Sequence, residues 1–185
     1  MKAGAMSEGG DRQKLIEEKI GHAETRASMG LTLIREVIRD FLLHEKGYSE
    51  EDMEVDRQFE IIQDNSRVSL SVDYILTLSS KRFMVIKCCP GALESRERHI
   101  VSFARVVDSY QIPFAVVTDG LHARILNTES GKLFSEGLDS IPSRSQAMEI
   151  LQSTELKPYP AGRMDREKRI LLAFEVIKCT QESCE

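Results

Sequence analysis

The sequence predicts a mixed α/β fold in which an antiparallel meander is followed by a strand, helix, strand crossover, the whole flanked by helices. Three observations carry this. Apolar residues change from a helical to an alternating period near residue 55, and two almost continuous apolar runs, 82–89 and 112–117, have the length of buried strands. Between those runs lies a stretch with a helical period of its own.

Leu31, Ile34, Val37, Ile38, Phe41 and Leu42 recur at steps of three and four, which predicts a helix that Gly47 ends as its C′ residue. Val55, Phe59 and Ile61 then lie at odd positions up to an Asp64-Asn65-Ser66 turn. Beyond it Leu70, Val72, Tyr74, Leu76 and Leu78 alternate with Ser69, Ser71, Asp73, Ile75 and Thr77, so two strands joined by a turn are expected. Ser79-Ser80-Lys81 leads into the run 82–89, which Pro90-Gly91 stops, and its composition predicts a central strand covered on both faces. Ser95 is expected to cap a helix over 95–109 carrying Ile100, Phe103, Ala104 and Val107, before a strand over 112–118. Strand, helix, strand implies a right-handed parallel crossover.

Asp119-Gly120 turns the chain into a short strand at 123–126, and 128–132 makes a further turn. Ser143 is the expected cap of a helix with Ala147, Ile150 and Leu151 inward, and Pro158 and Pro160 form a stiff spacer before an amphipathic helix with Ile170, Leu171, Phe174 and Ile177. The expected organisation is a loosely held extension over 1–28, a folded domain over 29–155, and a spacer and helix over 156–185 that pack on it.

The chain has 185 residues, 41% apolar and 30% charged, which suits one core. Its net charge of −5 repels polyanions, so DNA or RNA could be met only by a local basic patch. No apolar run approaches the roughly 18 residues of a spanning helix, and the first ten residues lack the apolar core of a signal peptide, so a cytoplasmic protein without membrane contact is expected. The cysteines at 88, 89, 179 and 184 do not have zinc spacing and read as reduced thiols, with Cys88 and Cys89 packed as small apolar groups. Phosphate-binding glycine loops, nucleophile elbows and HExxH helices are missing from the sequence, which leaves nucleotide hydrolysis, serine hydrolysis and zinc proteolysis without support.

Asp73 remains as a centre of chemistry. By itself it reads either as a solvated carboxylate on a polar strand face with Ser69, Ser71 and Thr77, or as the first metal ligand of a nuclease whose central strand follows. The order of helix, strand with Asp73, strand ending in Cys88-Cys89-Pro90-Gly91, helix from Ser95, strand from Ile112 and Thr118-Asp119-Gly120 turn resembles the N-terminal nuclease domain of type I restriction enzyme R subunits, of the PD-(D/E)XK restriction-endonuclease-like superfamily. The resemblance spans 31–151 and is most specific over 58–127; the R-subunit helicase motor has no counterpart.

The resemblance implies metal chemistry, in which an Asp and a Glu on successive strands hold Mg²⁺ and a Lys two residues after the Glu orients or deprotonates water, with a Gln and a Tyr four residues apart on the next helix. Asp73 matches the first acid. Aligning on Pro90-Gly91 puts Ile86 at the Glu, Cys88 at the Lys, and His99 and Phe103 at the Gln and Tyr positions. A second register uses Lys87 as the lysine, with Val85 two residues before it. Either way the second carboxylate is missing, and one carboxylate holds Mg²⁺ poorly. The implied site is degenerate, with no cofactor expected. An active Mg²⁺ endonuclease would need an acid from elsewhere, such as Glu36, Asp40, Glu94 or Glu97.

Arg96, Arg98 and Arg105 put positive charge on the crossover helix, and Arg96 in its first turn opposes the helix dipole. Something must offset it: Glu94, Glu97 or Asp108 as ion-pair partners, or a bound anion, for which Arg96, Arg98, Arg105 and Lys87 are the candidate contacts. His99 reads as a partly buried helix residue. The expected function is a catalytically inactive binding or regulatory module, on nucleic acid or on another protein, with an active endonuclease as the alternative.

Overall fold

The computed structural model describes residues 30–63 and 66–182. The expected extension over 1–28 and the Asp64-Asn65 turn lie outside them. Helix α1 (30–40) runs into a π turn at Phe41–Glu45, and Gly47, with φ +72°, leads the chain out of it. The amides of Lys46 and Tyr48 close on the carbonyls of Phe41 and Leu42, satisfying the helix end through the left-handed residue that the sequence supplies as glycine.

Six strands follow: β1 (Met53–Gln63), β2 (Ser66–Leu78), β3 (Lys81–Cys88), β4 (Phe114–Thr118), β5 (Ala123–Asn127) and β6 (Lys132–Glu136). They lie side by side in sequence order, antiparallel throughout except for the parallel pair β3 and β4, which α2 (Glu94–Val106) connects. The fold is therefore the expected α/β arrangement of meander and crossover. Helices α3 (Arg144–Ser153) and α4 (Ala161–Glu182) complete it.

The sheet has a core on each face. Under α1 and α3, Ile38, Leu42 and Ala147 meet Tyr74, Leu76, Met84, Ile86 and Val116; under α2 and α4, Ile100, Phe103 and Leu171 meet Ile75, Val85, Ala115 and Val117. Adjacent residues of β3 and β4 thus serve opposite layers, which explains why both strands are apolar without interruption. Ser143 caps α3 in a reciprocal capping box with Gln146, as its sequence predicts.

Two expectations need correction. Helix α2 starts at Glu94, with Leu93 as the flanking residue; Ser95 lies inside the first turn and its hydroxyl donates to the Ala92 carbonyl instead of capping. Strand β6 has no counterpart in the sequence reading, because Lys132, Leu133, Phe134 and Glu136 are all exposed and a short edge strand has no buried side to give it a period.

Candidate functional site

Asp73 sits where β2 and β3 part. The ladder between them runs from Leu78 opposite Lys81 to Tyr74 opposite Ile86 and stops there. The amide of Cys88, beyond the last rung, donates instead to Asp73 Oδ2 at 2.8 Å. The side chain of β2 thus substitutes for a backbone acceptor, as an otherwise orphaned buried N–H requires. On the other side of β2, Val55 pairs with Tyr74 and Arg57 with Val72, leaving Asp56 beside Asp73 with φ +48°. At this point β2 also changes allegiance: Leu70 and Val72 pack in the α2 layer, Tyr74 and Leu76 in the α1 layer.

Because of that change, Asp73 is reached from both layers. Arg35 of α1 donates from Nε to Asp73 Oδ1 at 2.5 Å, and its terminal nitrogen also lies 3.2 Å from Asp56. Lys87 Nζ lies 3.2 Å from Asp73 Oδ2. The Tyr74 hydroxyl donates to the Arg35 carbonyl at 2.8 Å, tying α1 to the strand. Asp73 is 1% exposed, so it is a buried, paired carboxylate and not the solvated one that its polar strand neighbours suggested. Burial, with Asp73 alongside, pushes the Cys88 thiol well above its ordinary range, and burial, with Cys88 and Asp73, pushes Tyr74 up to about 12. Neither is a poised nucleophile.

The contact between Lys87 and Asp73 selects the register of β3. Ile86 and Cys88, the positions obtained by aligning on Pro90-Gly91, belong to the α1 layer and pack with Ile38 and Met84. Lys87 shares its side with Val85, in the α2 layer. The second register therefore describes the side of the strand that meets Asp73, with Val85 two residues before the lysine. His99 and Phe103 are both buried in α2, His99 against the Phe174 ring at 5.1 Å and Phe103 edge-on to Phe59 at 5.4 Å.

The sequence profile of the type I restriction enzyme R protein N-terminus matches residues 32–142, from α1 to the approach of α3. The chain belongs to that family. No curated protein and no solved structure matches it.

Away from Asp73, α2 carries a second ionic network. Arg98 and Arg105, candidates for binding an external anion, converge on Glu167 of α4: Arg98 donates to it at 2.8 Å, Arg105 at 3.3 Å, the Ser102 hydroxyl at 2.8 Å and the Tyr159 hydroxyl at 2.9 Å. Arg105 also donates to the carbonyls of Thr128 and Glu129 and lies over the Tyr159 ring. A Cβ at Gly131, where φ is +68°, would come within 3.0 Å of its guanidinium. Although burial disfavours its charge, the hydrogen bonds from Arg98, Ser102 and Tyr159 hold the Glu167 carboxyl below the usual range. Arg105 is buried, so it is not open to the external anion for which it was a candidate contact.

The expected partners of these arginines are engaged elsewhere. Glu94 and Glu97 pair with Arg124, and Asp108 with Arg82 at 3.3 Å. Arg96 has no carboxylate within ion-pair distance among the described residues, while Glu36 and Asp40 are exposed on α1. Sequence reasoning missed Arg35, Asp56 and Glu167. For Glu167 the signal was the pair of helix cations in need of an answer, which came from another helix; Arg35 and Asp56 gave none.

These residues do not fit a resident divalent ion. Val85 stands two residues before Lys87, both oxygens of Asp73 are committed to Arg35, Lys87 and the Cys88 amide, and among the described residues no group of three or more His, Cys, Asp or Glu side chains could hold a metal. Among the same residues no helix is long and apolar enough to cross a membrane.

Proposed function

We propose that this R protein N-terminal domain has a PD-(D/E)XK nuclease ancestry, has lost its metal chemistry, and acts as a binding or regulatory module in the cytoplasm. The observation that carries this reading is the saturation of Asp73. Mg²⁺ sheds water reluctantly and is held by one or two carboxylates with substrate phosphates, so a carboxylate already answered by a guanidinium, an ammonium and an amide offers it little. The free thiols of Cys88 and Cys89 suit a reducing compartment.

Incubating the purified protein with plasmid, linear duplex and single-stranded DNA in Mg²⁺ or Mn²⁺ tests the loss of chemistry. No cleavage above background is expected. Metal-dependent cleavage that Asp73→Asn abolishes would restore the endonuclease.

A nucleic-acid partner would be met by Arg96 and the exposed side of Arg98, since Arg105 is buried on Glu167 and Lys87 is engaged by Asp73. So small a patch neutralises one or two phosphates, each contributing roughly 0.9 to the log–log salt slope on duplex DNA, so binding should be weak and salt-sensitive. Anisotropy with labelled DNA and RNA at low salt reads this directly, with Arg96→Glu as the control. No measurable binding of either leaves another protein as the partner.

A further inference from the structure

Asp73 and Asp56 meet on one nitrogen. The terminal nitrogen of Arg35 lies 2.5 Å from Asp73 Oδ1 and 3.2 Å from Asp56 Oδ1, so a single positive group is held between two carboxylates from neighbouring strands. Asp56 is not a position that the family's chemistry uses; it comes to the site through its left-handed backbone beside Asp73. Arg35 comes from α1, whose Tyr74 contact holds that part of the helix against the strand.

We propose that Arg35 is a built-in counter-ion: α1 supplies to Asp73 and Asp56 the positive charge that a nuclease of this kind takes from a divalent ion, and so closes the site to metal. The inference rests on the reading of a silent nuclease-like domain and adds to it the residue responsible. Loss of the second family carboxylate at Val85 alone would weaken an ion site. Occupation by Arg35 excludes the ion by charge and by space, because the cation is part of the chain and its local concentration never falls. With the guanidinium gone, Asp73 Oδ1 and the Asp56 carboxylate are freed side by side while Lys87 and the Cys88 amide stay on Asp73 Oδ2, which leaves the carboxylate oxygens that a hard divalent cation prefers.

Mn²⁺ titration of the full chain, followed by loss of the free-ion EPR signal, tests this. Arg35→Met should take up Mn²⁺ at least about tenfold more tightly than the unaltered protein, because carboxylate pairs hold hard cations. Uptake should disappear in Arg35→Met with Asp73→Asn and weaken in Arg35→Met with Asp56→Asn. Arg35→Lys, which keeps the charge, should behave as the unaltered protein. If circular dichroism shows Arg35→Met unfolded, Arg35→Gln is read in its place. A folded variant without gained uptake overturns the inference, as does gained uptake indifferent to Asp56. DNA cleavage by the unaltered protein instead overturns the reading beneath it, so the two failures are told apart.

Discussion

Asp73 and Glu167 are both carboxylates 1% exposed, and each faces two cations, yet they are built differently. Glu167 is met by side chains alone, from α2 and from the segment before α4; Arg105, one of its cations, is itself buried and anchored on two backbone carbonyls. Asp73 is met by one amide of the sheet and by two cations that reach it from opposite layers; Arg35 remains about one-third exposed and is shared with Asp56, which is largely solvated. The first arrangement is a closed staple that fixes α4 to α2. The second keeps the shape of a site, open at one side and filled by the protein's own charge.

The comparison predicts unequal costs. Glu167→Leu leaves Arg105 buried without its carboxylate and should cost about 3–5 kcal/mol in urea unfolding, the loss seen when one partner of a buried pair is removed. A loss under about 1 kcal/mol would mean that the staple is a surface pair after all.

Acid should act through the same group. The Glu167 carboxyl is held below its unfolded value, so it contributes stability above the ordinary glutamate range, and that contribution disappears as pH falls through the lowered folded value. Melting temperatures measured from neutral pH down through that range should therefore fall less steeply in Glu167→Gln than in the unaltered protein. Asp52 and Asp119, held low against burial by Arg144 and by the His122 and Leu121 amides, and Glu54, held low by Arg82, add to the slope.

Asp73→Asn should be milder, at about 1–3 kcal/mol, because asparagine still offers an oxygen to the Cys88 amide and Arg35 retains Asp56. A cost as large as that of Glu167→Leu would make the two clusters alike. The smallest effect is expected at Arg96→Ala, within about 0.5 kcal/mol, as for surface positions without a partner. A larger loss would reveal a contact that its position does not suggest.

The same contrast separates what was legible from what was not. The α1 period, the Gly47 exit, the Ser143 cap and the crossover around α2 are local patterns, and each appears in the structure. Alternation along β3 correctly set Lys87 apart from Ile86 and Cys88, but which side meets Asp73 depends on pairing across the Ser79-Ser80 turn and its register shift at Leu76 and Thr77. A motif alignment on Pro90-Gly91 misses that shift. Arg35 was illegible for a different reason, and Glu167 was signalled only through the helix cations it answers: an arginine on one helix face and a glutamate on another read as solvated charges until tertiary packing brings their partners to them.

The sequence-ordered sheet also bears on how the chain folds. Every strand pairs only with its neighbours in the sequence, so the sheet can grow by successive hairpins and one crossover, closing short loops as it goes. Several longer closures are ionic: Arg35 to Asp73 across 38 residues, Arg98 to Glu167 across 69, Arg144 to Asp52 across 92. Their entropy falls due after the sheet is in place, which makes them clasps on a finished scaffold. Removing a clasp should accordingly speed unfolding while leaving the folding rate almost unchanged.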